Sequence, residues 1–330
     1  MTPAKRKKLF WQIPLLLILG LTALGFWCPG ALTAVTNLPV LREAKVRLYT
    51  MWLNSDDPEI QASAANALSR MGPKAKGAVP TLIAALDSSR PEVRDAAARV
   101  LGEIGPDAEA AVESLIRVQK TEREFLAVEK ALGQIGEPGL EPLITELQDN
   151  DASVREHAAE SLGRILLVVP DPRLAQKAMQ PLINALQDED RRVCIAAARA
   201  MQGVVTATKD PETRAKIAEA LIRAMKDRGV HPMFVSGVLI EIADAALEPL
   251  INALQEDNVG VRWYAALAMQ MVLPAVKDPQ IRARAVEPLI CTMKDADWEV
   301  LRDSAAVALS KVDTENANNA LRDAGFDPTP

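Results

Sequence analysis

The chain has 330 residues, of which 49% are hydrophobic, 25% are charged and only 4% are aromatic, and its formal net charge is −6. A negative charge of this kind repels a phosphate backbone, so the sequence does not predict nucleic acid as a partner. Residues that favour helices dominate and no alternation with period two is present, which predicts an all-α class and excludes a sheet-based fold.

The first predicted element is an apolar segment from Leu9 to Trp27 that contains no charged residue. Its length suits a helix that crosses a bilayer, and aromatic residues lie at both of its ends, as at membrane interfaces. Because a basic cluster directly precedes the segment, we expect a cytoplasmic tail over 1–8, a transmembrane signal-anchor over 9–28 and the remainder on the extracytoplasmic side. Export followed by signal cleavage is the alternative.

A linker and a capping helix are predicted over 29–53, and an internal repeat follows over 54–313. Its clearest copy runs from Val93 to Gly102. Because residues four apart share a helix face, small residues at that spacing let a neighbouring helix approach closely. Alanine fills the fourth and fifth positions after the first residue of six such segments, which begin at Ile60, Val93, Val154, Val193, Val261 and Leu301.

A second helix is predicted after each of these segments, usually around a Pro-Leu-Ile sequence such as 181–183 or 249–251. We call the alanine-rich helix of each pair the first helix and its successor the second helix. Two repeats depart from the pattern, with Val128-Glu129 and Val235-Ser236 in place of the paired alanines. Each pair has an apolar face that it can bury only against its neighbours, which predicts one continuous solenoid.

The Val-Arg-x-x-Ala-Ala-x-x-Leu and Pro-Leu-Ile segments resemble the HEAT-like repeats typified by phycobilisome lyase subunits, over roughly 54–313. The resemblance implies an all-α, α-α superhelix of about eight helix pairs. One transmembrane helix is predicted before it, and a C-terminal cap and tail over 314–330 after it. The resemblance is specific for the fold and carries little information about function.

Two families of enzyme with similar repeats supply an alternative function. Deoxyhypusine hydroxylases hold two irons with His-Glu pairs, whereas this chain has only two histidines, His157 and His231, and neither precedes a glutamate. Bilin lyases attach a tetrapyrrole to a partner's cysteine, and no residue here matches a lyase active site. Three cysteines without CxxC spacing indicate neither a zinc site nor a disulfide framework. We therefore predict no catalytic residue, no metal and no cofactor.

The predicted function is that of a membrane-anchored scaffold or adaptor that holds a protein partner, with an enzyme or an assembly factor as the alternatives. The resemblance to HEAT arrays implies that second helices line the concave surface. Basic residues gather on these helices although the chain is acidic, which predicts an acidic segment of the partner in the groove. Trp263 and Tyr264 are further candidates because aromatic residues often anchor interfaces. The second-helix candidates are Arg173, Lys177, Asn184, Arg214, Arg223, Asn252, Arg282 and Arg284.

Overall fold

A computed structural model describes residues 39–121, 126–295, 298–312 and 314–326 of the chain. All secondary structure in these residues is helical, with short 3-10 turns between some of the helices. The α-helices in chain order are α1 Pro39–Leu53, α2 Pro58–Met71, α3 Val79–Ala85, α4 Pro91–Ile104, α5 Val112–Thr121, α6 Leu126–Ile135, α7 Leu140–Glu146, α8 Ala152–Val168, α9 Pro172–Ala185, α10 Arg191–Ala207, α11 Pro211–Arg228, α12 Pro232–Glu241, α13 Ala243–Leu254, α14 Val259–Val272, α15 Pro279–Ala283, α16 Val286–Asp295, α17 Glu299–Ser310 and α18 Glu315–Asp323.

The helices form antiparallel pairs that stack into a solenoid of two layers. The first helices are α2, α4, α6, α8, α10, α12, α14 and α17, and each packs on the next. The intervening helices are the second helices, and α1 packs against α2 at the start of the stack. This arrangement confirms the all-helical, HEAT-like solenoid that the repeats predict.

Aspartate caps and proline start many of these helices. The carboxylates of Asp57, Asp171 and Asp278 each accept a hydrogen bond from the amide two residues later, and proline follows each of them at the first helical position. Proline fits there because the amide at this position has no partner within the helix. An Asp-Pro sequence therefore marks the start of each of these three helices.

Two prolines inside second helices behave differently. Helix α9 runs through Pro181, as the sequence predicts. The corresponding helix around Pro288 is interrupted at Arg284 and resumes as α16 at Val286. The interruption puts Pro288 in the first turn of α16, where its missing N–H costs no hydrogen bond.

Glycine and alanine allow the closest contacts between first helices. A Cβ built on Gly163 of α8 would lie 2.8 Å from the Cα of Ala200 in α10. A Cβ on Gly203 would lie 2.5 Å from the Cβ of Leu166 and 3.0 Å from the carbonyl oxygen of Gly163. No real side chain fits at these distances, so α8 and α10 are packed backbone to backbone at this point.

The arginine at the second position of the repeated segment bonds the turn that precedes its own helix. Arg94 donates to the carbonyl of Ser88 at 2.6 Å, and Arg262 donates to that of Glu256 at 2.9 Å. Arg155 donates to the carbonyl of Asp149 at 2.7 Å and also forms a bidentate ion pair with Asp188 of the next repeat. Arg94 and Arg262 thus fix the turn within their own repeats, and Arg155 does so and also links two repeats.

The structure corrects the predicted fold class and localisation in one respect. No helix of the described residues is long and apolar enough to cross a bilayer. Even α11, with 18 residues, carries charged side chains on successive turns because only one of its faces is buried in the solenoid. Leu9–Trp27, where the sequence predicts the transmembrane helix, lies outside the described residues. The predicted single-pass membrane protein with a cytoplasmic N-terminus is therefore not supported. The described residues support a helical solenoid without the predicted transmembrane helix.

The close packing of α8 on α10 gives a first prediction. Gly203→Ala should lower the free energy of unfolding by about 1–3 kcal/mol, since the added methyl group overlaps Leu166 and the backbone of Gly163. The matched control is Gly237→Ala in α12, where the nearest atom to an added Cβ is the Gln202 side-chain oxygen at 3.6 Å. The control substitution should raise the free energy of unfolding by up to about 1 kcal/mol, because alanine favours a helix more than glycine does. Urea unfolding measures both, and equal effects of the two variants would contradict the prediction.

The pair between Arg155 and Asp188 gives a second prediction. Its side chains are only 17% and 12% exposed, so water screens it weakly. Arg155→Ala should lower the free energy of unfolding by about 1–3 kcal/mol through lost charge-assisted hydrogen bonds. A double-mutant cycle with Asp188→Ala isolates the contribution of the pair from the turn carbonyls that Arg155 also binds. A coupling energy near zero would show that the pair does not tie the two repeats together.

Candidate functional site

The two layers of the solenoid are not equally close-packed. First helices α8 and α10 lie in extensive contact, whereas the second helices α9 and α11 of the same two repeats hardly touch. In a curved stack of two layers, the layer with the closer contacts follows the shorter arc. A groove of about 600 Å³ opens across first helices α4, α6 and α8, and its lining includes Arg99, Lys130 and Arg164. The first helices therefore present the surface on the inner side of the curve.

The last three first helices carry an unusual amount of exposed apolar surface. Met233 is 64% exposed, Val307 46% and Trp298 39%. Scattered apolar side chains are normal on a protein surface, but a contiguous group is typical of an interaction site. We call this group on α12, α14 and α17 the apolar patch; it comprises Met233, Phe234, Ile240, Trp263, Tyr264, Trp298, Val300 and Val307.

Aromatic rings connect the three helices at the patch. The rings of Trp263 and Tyr264 lie with their centroids 5.2 Å apart, and those of Trp263 and Trp298 are 5.4 Å apart in an edge-to-face arrangement. His231, the N-cap of α12, completes the cluster at 5.7 Å from Tyr264 and 6.4 Å from Trp263. Such contacts hold large rings in fixed orientations. The rings therefore offer a rigid, partly exposed surface that spans three repeats.

Substitutions within the repeat produce this patch. Asp95 and Ala96 occupy the second and third positions after Val93, and the aligned residues of α14 are Trp263 and Tyr264. In α12 the sequence is apolar on every side, so burial of one face against the stack leaves Met233 and other apolar side chains exposed. Trp263 and Tyr264 were predicted from the sequence, whereas the apolar side chains of α12 and α17 were not. The apolar sequence of α12 was the signal that could have shown them.

The structure brings Trp263 and Tyr264 together, but it distributes the basic candidates over the second helices. Three of these bases are paired with carboxylates: Arg173 with Asp171 at 2.7 Å, Lys177 with Glu141 at 2.8 Å, and Arg284 with Glu248 at 2.7 Å. The hydrogen bonds that Arg173 and Lys177 donate to Asp171 and Glu141 raise the pKa of both basic side chains. These pairs reduce the positive charge that the second helices offer to a partner.

The other second-helix candidates are divided between local hydrogen bonds and open surface. Arg214 and Arg282 donate to the carbonyls of Thr208 and Val276 in the turns before their own helices. The amide oxygen of Asn184 accepts from Gln180 at 2.9 Å. Arg223 and Asn252 are exposed on α11 and α13. The predicted basic surface is thus a set of separate positions on the more widely spaced layer.

A cluster of charged side chains lies on the first helices ahead of the apolar patch. Glu129 of α6 pairs with Arg164 of α8 at 3.2 Å, and Glu160 of α8 lies 3.6 Å from Arg199 of α10. Burial raises the pKa of Glu160, and the neighbouring carboxyl group of Glu129 raises it further against the opposing effect of Arg199 and His157. The inner surface therefore changes along the chain. It is charged on the first helices between α4 and α10, and it is apolar on α12, α14 and α17.

No cluster of three or more His, Cys, Asp or Glu side chains that could hold a metal ion is present among residues 39–121, 126–295, 298–312 and 314–326. Cys194 is buried, and its thiol donates to the carbonyl of Asp188 at 3.2 Å. Burial raises the pKa of this thiol, which disfavours the thiolate needed for nucleophilic chemistry. Cys194 is therefore a structural residue of α10 that bonds the preceding turn, at the position where other repeats carry arginine.

Comparison with known proteins agrees with this architecture. A sequence profile of HEAT repeats matches residues 47–127 and 125–202. Comparison with curated protein sequences finds no match. Residues 47–202 thus match HEAT repeats in sequence, and the matched repeats end before α12, where the apolar patch begins.

Solved structures of large helical solenoids share the fold. The chain is similar to Kap121p, in a mutant form, with a TM-score of 0.56 and 14% identity over 87% of this chain and 35% of that one. It is also similar to Kap95p in a structure with RanGDP, with a TM-score of 0.54 and 14% identity over 87% of this chain and 44% of that one. The Kap95:Nup1 complex gives a TM-score of 0.52 and 13% identity, over 88% and 44%. The chain thus spans less than half the length of these proteins, and at this identity the likeness shows the fold alone.

The raised pKa of Glu160 predicts a pH dependence of stability. Because the folded pKa exceeds the unfolded one, the protonated form stabilises the fold; this contribution is present below the unfolded pKa and is lost as the pH rises through the folded pKa. Glu160→Gln, which keeps a neutral side chain, should therefore unfold at a higher temperature than the wild type at neutral pH. The difference should vanish below about pH 4, where the unfolded carboxyl is protonated as well.

The control for this variant is Glu156→Gln one turn earlier on α8, which removes the ion pair with Arg192 at 3.5 Å. This change should leave the melting temperature at neutral pH unchanged or slightly lower. Thermal unfolding of the three proteins across the acid range measures the effect. A Glu160→Gln variant that is less stable than the wild type at neutral pH would contradict the prediction.

Proposed function

We propose that this protein is a scaffold that holds a protein partner on the first-helix surface of its solenoid, with the apolar patch as the principal contact. The observation that carries the proposal is the exposure of large apolar side chains on three consecutive first helices, linked by the ring cluster of Trp263, Tyr264 and Trp298. Aromatic and methionine side chains are enriched at protein interfaces and supply much of the binding energy there.

The fold supports this proposal independently of the patch. HEAT and armadillo solenoids are typical of proteins that bind other proteins along an extended surface. The structures of Kap95p with RanGDP and of the Kap95:Nup1 complex are examples in which the similar protein is bound to another protein. The first helices provide an extended surface of this kind here, and its apolar part includes α12, one of the two first helices that depart from the alanine pattern.

The predicted acidic segment at the basic second helices stays a prediction. The ion pairs of Arg173, Lys177 and Arg284 with carboxylates of this chain leave fewer free cations there. Arg223 remains exposed on α11 as the basic position to test. A variant with Arg223→Ala and Lys177→Ala tests the second helices separately from the apolar patch, because both positions lie on second helices.

Substitution of the apolar patch is expected to abolish partner binding while the fold is retained. We predict that Met233→Ser combined with Val307→Ser weakens partner binding at least tenfold, since two exposed apolar anchors are lost. Both side chains are exposed, so the free energy of unfolding should change by less than about 0.5 kcal/mol per site. The measurement is quantitative cross-linking of the full chain in its native cells, followed by mass spectrometry of the attached proteins.

The matched control is Met51→Ser on α1, since Met51 is as exposed as Met233, at 64%. Proteins that are lost from the patch variant but retained by the Met51 variant are the partners held by the patch. If the patch variant retains every partner while Arg223→Ala with Lys177→Ala loses them, the binding surface is the second-helix layer and the proposal fails.

A further inference from the structure

The aromatic rings of the apolar patch lack a cationic partner from the helices that carry them. Helices α12, α14 and α17 contain two bases, Arg262 and Arg302. Arg262 donates to the carbonyls of Glu256 and Asp257 at 2.9 and 3.2 Å. Arg302 lies between two carboxylates, 3.7 Å from that of Glu299 and 3.9 Å from that of Asp303. Both cations are therefore engaged away from the rings.

Two further bases lie just outside the three helices, and neither is placed over the rings. Arg191, at the start of α10, donates to the carbonyl of Gly229 at 2.6 Å, in the turn before His231. Lys311 follows the last residue of α17, at the opposite end of that helix from Trp298. Trp298 is thus the exposed ring of the cluster, whereas Trp263 and Tyr264 are half-buried and lie against His231, and none of these four bases is engaged with the rings.

Carboxylates flank the same surface. Glu299 directly follows Trp298, and its side chain is 79% exposed; Asp303 follows one turn later and is 53% exposed. Glu241 ends α12 and accepts a hydrogen bond from Gln202. Aromatic faces attract ammonium and guanidinium groups, and exposed carboxylates nearby add to the attraction. The patch is therefore complementary to a partner that is both apolar and basic.

The size of the patch indicates what such a partner looks like. Neighbouring helices pack with their axes about 8–10 Å apart, so three first helices present a surface about 20–30 Å wide. A helix rises about 1.5 Å per residue, so a helical segment of about 14–18 residues crosses this width. An amphipathic helix of that length places its apolar side chains on one face and its charges along both borders.

We propose that the apolar patch binds a basic amphipathic helix of a partner protein, whose aliphatic side chains pack against Met233, Phe234 and Val307. Its lysine or arginine side chains lie over the ring of Trp298 and beside Glu299 and Asp303. This inference rests on the proposed function and adds the chemistry of the bound segment. It differs from the acidic segment predicted for the second helices in both the sign of the charge and the layer of the solenoid.

The test uses the full chain and three synthetic 18-residue peptides, with affinity measured by calorimetry. One peptide carries leucine on one helical face and lysine on the other, the second replaces lysine by glutamate, and the third is a shuffled leucine–lysine sequence without an apolar face. We expect the leucine–lysine helix to bind at least tenfold more tightly than either of the others. The shuffled peptide controls for simple attraction of a basic peptide to an acidic protein.

Variants of the chain show where the helix binds and distinguish the contribution of the apolar side chains from that of the carboxylates. Met233→Ser with Val307→Ser should weaken the leucine–lysine helix at least tenfold, whereas Met51→Ser should leave it unchanged. Glu299→Gln with Asp303→Asn should weaken it about threefold to tenfold and should reduce its dependence on salt. Arg302 stays in that variant, so the leucine–glutamate helix should gain affinity.

Three outcomes would overturn the inference. The first is tighter binding of the leucine–glutamate helix, the second is leucine–lysine binding that survives Met233→Ser with Val307→Ser, and the third is self-association of the chain through the patch in light scattering. If cross-linked cellular partners still depend on Met233 and Val307 in these cases, the proposed function stands and only the chemistry of the segment is wrong. If they do not depend on these residues, the proposed function fails as well.

Discussion

The close approach of neighbouring first helices is the constraint on which this structure depends. Gly163 and Gly203 let α8 and α10 meet backbone to backbone, and buried alanines such as Ala97, Ala265 and Ala305 are small core residues on other first helices. Small residues lose little side-chain entropy on burial, and the short distance brings many atoms into van der Waals contact. Most of the second helices lie farther apart, although α11 and α13 are in close contact. The difference in spacing between the layers gives the solenoid its curvature and an inner surface made of first helices.

Polar contacts add to the stability of the stack, but they do not determine the fold. The arginine of the repeated segment binds the carbonyls of the preceding turn, so each helix pair is held at its own corner. Arg155 and Asp188 add one direct link between repeats where water screens it weakly. Most other ion pairs join exposed side chains, and such pairs contribute little to stability. The alanine- and leucine-rich core therefore determines the fold, while the charges adjust individual turns.

The exposed faces of the first helices are free to vary because stacking does not use them. On α4 to α10 these faces carry charges, including Arg164 and Arg199, which pair with Glu129 and Glu160. On α12 to α17 they carry Met233, Phe234 and the ring cluster. A solenoid whose stacking residues are constant can therefore change the chemistry of its inner surface from one repeat to the next. The proposed partner surface is a consequence of this division between stacking positions and exposed positions.

The sequence by itself determined the helix pairs and their register. Alanines four and five residues after the first apolar position, with Asp-Pro helix starts, are local patterns that specify a helix, its buried face and its first residue. It did not determine which layer would be the inner one, nor that Lys177 and Arg284 would pair with carboxylates of the preceding second helix. Those features depend on distances between residues about 30 or more positions apart, or on the relative spacing of two layers. Trp263 and Tyr264 were found from composition, but their meeting with His231 and Trp298 required the stacking of three repeats, since no local pattern records which side chains neighbouring helices bring together.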